Sequence, residues 1–249
     1  MQSTQVVILA AGKGKRMGSS VPKPLVSISG KPMLAHLLEN LQKAAIDPRP
    51  IVVVHPDYQE LFQKALHADV IFAHQIEQLG TGHAVMSAFS VIREGATHVM
   101  VLYGDHPFLS AALLQSLPAM AQEKPEALVM LTAKVPHFTN EYAGFISWGR
   151  IVRDDQGKVI AIREAKDATD EEKTITELNP AIYCFPLSLL RRALPQLSNA
   201  NASGEYYLTD VIAFAMREGI EIVTQSVDAL EVIGVNTPDE LKVAESIHG

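Results

Sequence analysis

The 249-residue chain predicts one α/β domain built on a mixed, mainly parallel β-sheet flanked by helices. In the first half, short apolar runs alternate with segments whose apolar residues recur at helical spacing. This alternation is typical of βαβ units, in which successive strands run parallel. Hydrophobic residues make up 47% of the chain, enough to cover both faces of such a sheet. No internal repeat, low-complexity tract or linker divides the sequence.

Apolar runs bounded by turn residues predict the strands. In chain order they are 6–9, 51–54, 70–72, 99–102, 127–132, 178–185, 221–224 and 232–235, with a hairpin of 149–153 and 158–162. Amphipathic segments between them predict helices at 32–45, 58–66, 113–120, 187–194, 207–217 and from 238 onward. A further helix opens at the stretch from Gln78 to His83 and runs through Ala84, Met86, Ala88 and Val91. Thr169 to Glu172 and Thr237 to Glu240 match capping boxes, and Pro238 takes the favoured first helical position.

Composition limits the class of partner. The net charge of −7 argues against a nucleic-acid partner, which would require a basic face. No signal peptide or membrane span is predicted, so we expect a cytoplasmic protein without a membrane partner. Cys184 is the one cysteine, and its apolar neighbours predict a buried structural thiol.

A glycine-rich loop follows the first predicted strand, from Leu9 through Ala10, Ala11, Gly12, Gly14 and Arg16 to Met17. Glycines let the backbone approach a phosphate, and consecutive N–H groups in a tight turn form an anion nest. Lys13, Lys15, Arg16 and Lys23 add positive charge. The loop is neither a P-loop, since Arg16 follows Gly14-Lys15, nor a dinucleotide fingerprint, since Gly18 comes one residue too late. It predicts a nucleoside triphosphate site; an ordinary connection with solvated lysines is the alternative.

Several polar residues follow other predicted strands at the same sheet edge, where ligands of such folds bind. Asp105 and Asn236 carry oxygen atoms suited to Mg²⁺, although either could simply cap a helix. One predicted loop contains Gln75, Gln78, Gly80 and Thr81. Its amide side chains and backbone groups could recognise a nucleobase, or the loop could simply form a helix N-terminus. Sugar hydroxyls and a sugar phosphate could bind to a later group of residues that are otherwise surface positions, namely Glu164, Lys166, Asp167 and Asn179.

Taken in order, these motifs resemble those of the sugar-phosphate nucleotidyltransferases. The similarity is greatest to the pyrophosphorylase domain of bifunctional UDP-N-acetylglucosamine pyrophosphorylase/glucosamine-1-phosphate acetyltransferases and covers essentially the whole chain. The motifs that carry it are Leu9 to Met17, Pro22-Lys23, Gln78 to His83, Tyr103 to Asp105, Gly149 to Ile151, Glu164 with Lys166 to Thr169, Gly204 to Asp210, and Gly234 to Asn236. The resemblance implies a Rossmann-like, GT-A-like fold with a nucleotide-binding half, 1–135, and a sugar-phosphate-binding half, 136–249.

The resemblance also implies an activity and a role for each matching residue. We expect Mg²⁺-dependent transfer of a nucleotidyl group from UTP to a sugar 1-phosphate, with N-acetylglucosamine 1-phosphate as the first candidate and with release of pyrophosphate. Arg16 and Lys23 would be catalytic, Asp105 and Asn236 would hold Mg²⁺, and Gly149, Glu164 and Asn179 would hold the sugar phosphate. The nucleotide would contact Leu9, Ala10, Ala11, Gly12, Gly14, Gln75, Gln78, Gly80, Thr81, Tyr103 and Gly104.

Three features depart from the family pattern. Hexapeptide repeats are absent, so we expect no acetyl transfer by this chain. Asn179-Pro180-Ala181 replaces the family's Asn-Thr-Gly, and the loop 138–148 is longer and ends in Trp148 rather than tyrosine. The last two changes leave the substrate open. Thymidylyl or cytidylyl transfer to another sugar phosphate or phospho-alcohol is one alternative, and a catalytically inactive nucleotide-sugar sensor is the other.

Overall fold

The structure, a computed structural model, describes residues 3–12, 14, 17–19 and 21–248. Its strands are β1 (Thr4–Leu9), β2 (Ser27–Ile28), β3 (Lys31–Pro32), β4 (Ile51–Val54), β5 (Ile71–His74), β6 (His98–Tyr103), β7 (Leu128–Lys134), β8 (Gly149–Arg153), β9 (Val159–Arg163), β10 (Glu177–Asn179), β11 (Tyr183–Pro186) and β12 (Ile222–Asp228). Its helices are α1 (Met33–Ala44), α2 (Gln59–Ala65), α3 (Thr81–Ala88), α4 (Ala111–Glu123), α5 (Leu187–Ala193), α6 (Thr209–Arg217) and α7 (Pro238–His248).

Ten of these strands form one mixed sheet, as the fold class predicted. The strands β5, β4, β1 and β6 are parallel neighbours in that order, so their carboxyl ends share one edge. The strand β11 joins β6 antiparallel and also pairs with the first part of β7, while β10 pairs with the last residues of β7. The hairpin β8–β9 extends the sheet beyond β10, and β12 runs parallel along β7. The short β2–β3 hairpin stands apart.

The core lies on both faces of the sheet because side chains of β1 alternate between them. Val6 and Ile8 face a layer containing α1 and α4, whereas Val7 and Leu9 face a layer containing α3, α5 and α6. All four side chains are fully or almost fully buried. Among the described residues, no helix combines the length and the hydrophobicity that crossing a bilayer requires.

Two strand predictions were wrong in an informative way. The segment predicted as a strand at 232–235 is an irregular connection, although its valines are buried. Its backbone pairs with a loop instead of a strand: the Val235 N–H donates to the carbonyl of Asp105 at 2.9 Å. The single strand predicted at 178–185 is two strands, because Pro180 lacks an N–H and Ala181 takes the left-handed φ of 61°.

Candidate active site

A cavity of about 820 Å³ opens where β1, β5 and β6 end, which is the edge at which ligands were predicted to bind. Of the residues predicted to contact the nucleotide, all but Gly104 line it, together with Lys23, Asp105 and others. Gly104 lies between Tyr103 and Asp105, and its N–H donates to the Leu9 carbonyl at 3.0 Å. The volume falls in the range of small-molecule sites.

The glycine-rich loop is held against the segment that begins at Lys23. Gly14 has the positive φ of 57°, and a Cβ there would lie 2.6 Å from the Lys23 Cβ, so a side chain would displace Lys23. Pro24 packs against Gly104, where a Cβ would lie 3.1 Å from the proline ring. Gly12 has open space around its Cα, on the cavity side. The predicted catalytic residue Arg16, with Lys13 and Lys15, lies outside the described residues.

The loop predicted to bind a base is fastened from two sides. The Gln75 amide donates to the Gly80 carbonyl at 3.0 Å, and the Gln78 amide donates to the Ala11 carbonyl of the glycine-rich loop. On the other side, Tyr206 exchanges backbone hydrogen bonds of 2.8 Å with Leu79 and Gly82. Much of this loop's polar capacity therefore holds the loop itself in place beside the cavity.

The two residues predicted to hold the metal, Asp105 and Asn236, lie near each other, and Asp105 lines the cavity. The hydrogen bond from Val235 to Asp105 brings the following residue, Asn236, beside that carboxylate. The Asn236 N–H also donates to the Glu240 carboxylate at 2.6 Å, which fixes it at the start of α7. The Lys23 ammonium donates to both ligands, to Asp105 Oδ2 and, at 2.8 Å, to Asn236 Oδ1.

The Asp105 carboxylate retains one unused oxygen. Its Oδ1 is buried and has no hydrogen-bond partner in the described part of the chain. Burial raises the pKa of Asp105, but the charge and hydrogen bond of Lys23, together with the nearby His106 ring and a backbone hydrogen bond, outweigh burial and keep that pKa below its ordinary value. An ionised carboxylate with a free oxygen, beside an amide oxygen, is a suitable donor set for a hard cation such as Mg²⁺, which usually takes one or two protein oxygens plus phosphate oxygens.

The residues predicted to hold the sugar phosphate lie on three neighbouring strands or at their ends. Gly149 and Asn179 pair between β8 and β10, and Glu164 directly follows β9. Burial raises the pKa of Glu164, which accepts a hydrogen bond of 3.2 Å from Thr209. The Asn179 amide is engaged within the chain: it donates to the Tyr183 hydroxyl at 2.6 Å and accepts from the Ala181 N–H at 3.0 Å.

Sequence reasoning missed three contributors to this region. Tyr183 is fully buried and holds Asn179, yet it looks like an ordinary strand residue. His106 is buried against Trp148, with ring centroids 6.1 Å apart, and so links the loop after β6 to the segment before Gly149. Glu205 lines the cavity; the Gly204 to Asp210 motif, noted for its family resemblance, was the available signal.

The fold and this cavity define an α/β nucleotidyltransferase, and comparison with known proteins agrees. The MobA-like NTP transferase domain matches residues 6–218, so the chain belongs to that family. The family and the curated relatives confirm that the chain is a nucleotidyltransferase resembling the pyrophosphorylase domain recognised in its sequence.

Those relatives are named bifunctional protein GlmU. The one from Caldicellulosiruptor saccharolyticus is 42% identical over 240 residues, which are 96% of this chain and 50% of that protein. The one from Cupriavidus taiwanensis is 44% identical over 98% of this chain and 51% of its own length, and that of Pseudomonas paraeruginosa is 45% identical over 94% and 49%. The chain thus spans about half the length of the curated relatives it matches.

A solved structure confirms the fold alone. CMP:2-keto-3-deoxy-manno-octonic acid synthetase, complexed with CTP, superposes with a TM-score of 0.70 over 99% of this chain and 98% of its own. Its sequence identity with this chain is 21%.

Proposed function

We propose that this chain transfers a uridylyl group from UTP to a sugar 1-phosphate, with N-acetylglucosamine 1-phosphate as the first candidate, in a Mg²⁺-dependent reaction. The observation that carries the proposal is the convergence of Lys23, Asp105 and Asn236 beside a cavity of about 820 Å³, which Lys23 and Asp105 line. The similarity to GlmU proteins over almost the whole chain supports a sugar phosphate as the acceptor.

In the proposed reaction, an oxygen of the sugar 1-phosphate attacks the α-phosphorus of UTP. The new P–O bond forms as the bond from the α-phosphorus to the bridging oxygen of the β-phosphate breaks, and pyrophosphate leaves with that electron pair. Such a step needs in-line positioning and neutralisation of charge, and no covalent intermediate. The chain therefore needs cations near the phosphates and a rigid frame, both of which this cavity offers.

Among the residues that the structure describes, Lys23 is well placed to neutralise the phosphates. Its side chain is 16% exposed, lines the cavity and extends from a backbone held by Gly14 and Pro24. Mg²⁺ held by Asp105 and Asn236 would supply further charge neutralisation at the phosphate oxygens. Glu164, with Gly149 beside it, would hold the sugar near Tyr103, which lines the cavity and lies close enough to Glu164 to feel its charge.

Pyrophosphate release tests the proposal. UTP, dTTP and CTP are each combined with a panel of sugar 1-phosphates and phospho-alcohols, with Mg²⁺ and with EDTA. Turnover with UTP and N-acetylglucosamine 1-phosphate, abolished by EDTA, is the expected result. Lys23→Met and Asp105→Asn should abolish turnover, whereas the exposed controls Lys43→Met and Asp155→Asn should retain it.

Other outcomes assign the protein differently. Turnover with CTP or dTTP, or with a different acceptor, would keep nucleotidyl transfer and change the substrate. Absence of pyrophosphate in every combination, from folded protein that still binds UTP, would refute the proposal and favour a nucleotide-sugar sensor. The thermal transition of each sample, followed by circular dichroism, separates loss of fold from loss of activity.

A further inference from the structure

Lys23 occupies the position that a divalent cation would need. Its ammonium contacts Asp105 Oδ2 and lies 2.8 Å from Asn236 Oδ1, so it binds both predicted metal ligands at once. An ammonium and a divalent cation both bind to the lone pairs of these carboxylate and amide oxygens. The two positive charges repel strongly at such separations in a partly buried site. The Lys23 ammonium and a metal ion therefore compete for this pair of ligands, although Lys23 leaves Asp105 Oδ1 uncontacted.

The backbone of Lys23 is fixed while its side chain can move. Its carbonyl accepts the Val26 N–H at 3.0 Å within a single 3₁₀ turn, and Pro24 packs on Gly104. The side chain beyond Cβ is a flexible stem of methylenes at the cavity wall. A rotamer change could therefore carry the ammonium from Asp105 into the cavity without moving the main chain.

We propose that Lys23 is a placeholder for the metal: in the nucleotide-free protein it closes the Asp105–Asn236 pair, and it leaves for the triphosphate when the nucleotide binds. Naming the metal as Mg²⁺ and the ligand as a nucleoside triphosphate rests on the proposed function. The placeholder avoids leaving an unpaired carboxylate in the empty site, where an uncompensated buried charge is costly. The placeholder also couples the binding of the metal ion to that of the nucleotide, because binding of either one displaces Lys23 toward the position that favours the other. Such coupling is reciprocal.

Metal binding in the absence of nucleotide is the test. Mn²⁺, a paramagnetic substitute for Mg²⁺, is titrated into nucleotide-free protein and followed by electron paramagnetic resonance and calorimetry. Lys23→Met should bind Mn²⁺ about tenfold or more tightly than the unchanged protein, because its ligands are no longer occupied. Lys23→Arg, which keeps the charge, should stay weak, and the exposed control Lys43→Met should match the unchanged protein.

Two further measurements locate the effect. Adding Asp105→Asn to Lys23→Met should remove the gained affinity, which assigns it to this carboxylate. The gain should also persist in about 0.2 M KCl, since a general long-range charge effect would be screened there. A gain in affinity requires folded protein, so misfolding of Lys23→Met cannot imitate the expected result.

The placeholder proposal is wrong if Lys23→Met binds Mn²⁺ no more tightly than the unchanged protein does. This titration contains no nucleotide and no acceptor, so it fails independently of the proposed reaction. Pyrophosphate release together with an unchanged Mn²⁺ affinity would leave the reaction standing and remove the placeholder. A gain in Mn²⁺ affinity without any pyrophosphate release would support the placeholder and refute the proposed reaction.

Discussion

Gly80 caps the start of α3 and lines the cavity, and replacing it with alanine tests how the loop from Gln75 to Gly82 is held. Its backbone, with φ of 107° and ψ of 178°, lies in a region that is essentially restricted to glycine. A Cβ there would also lie 2.7 Å from the Tyr206 carbonyl oxygen and 2.9 Å from the Tyr206 nitrogen. Neither atom can give way cheaply, because both belong to the backbone that pairs with Leu79 and Gly82.

Gly95→Ala is the matched control. Gly95 also has a positive φ, of 80°, but a Cβ there would meet no atom within 4 Å. Gly95→Ala therefore isolates backbone strain, which costs about 1–2 kcal/mol. Gly80→Ala adds greater strain and the weakening of two loop hydrogen bonds, so its loss should reach about 3–5 kcal/mol.

Thermal unfolding and calorimetry of UTP binding measure the two consequences. At about 2–4 °C per kcal/mol, Gly80→Ala should lower the melting temperature by about 10 °C, roughly twice the decrease for Gly95→Ala. The dissociation constant for UTP should rise about tenfold or more in Gly80→Ala, because Gly80 and its loop line the cavity, and stay unchanged in Gly95→Ala. Equal losses of stability in the two variants, with UTP affinity unaffected, would refute the contact between Gly80 and Tyr206 as the cause.

Three further predictions concern the second half of the chain. Ala181→Gly restores the family's glycine where φ is 61°, and should raise the free energy of unfolding by about 0.5–1 kcal/mol in urea titrations; destabilisation would contradict the strain. Arg150 is fully buried and donates to three backbone carbonyls around the Gly149 segment. Arg150→Met should therefore lower the free energy of unfolding by about 3 kcal/mol or more, again by urea unfolding, and Arg150→Lys should lower it by less. Burial raises the pKa of Glu164, so the native state holds that proton more tightly and stability declines as pH rises from the ordinary glutamate value of 4.5 through the raised pKa. The melting temperature of Glu164→Gln relative to the unchanged protein should therefore increase between about pH 4 and about pH 8, and a constant difference would exclude the shift.

Much of the fold was predictable because it follows from local patterns. The buried runs at 6–9, 51–54 and 99–102 became neighbouring parallel strands, since strands covered on both faces must be apolar throughout. The capping box at Thr169 was confirmed as well: Thr169 and Glu172 exchange hydrogen bonds of 2.9 and 3.1 Å. These features involve residues that are close in sequence, or patterns that every strand of the sheet repeats.

The failures came where distant residues decide. An apolar pattern cannot tell a strand from a buried irregular segment, so the connection at 232–235 was predicted as a strand, and only its partner Asp105 shows why it is irregular. The left-handed conformation of Ala181 contradicts the residue's own preference and is held by the Asn179 amide.

By itself, the sequence determined the α/β class, the glycine-rich loop and the family, and it predicted the sheet edge at which the cavity opens, because each depends on residue type and spacing along the chain. The tertiary structure decided which of these residues touch. Asp105 lies 82 positions after Lys23 in the sequence, and Asn236 lies 213 positions after it. Only the sheet order and the turn before α7 bring the three residues together. The physical reason is that the residue type of an ammonium, a carboxylate or an amide oxygen does not show which distant group it will contact. Those contacts form only when the folded chain brings the groups into one partly desolvated site.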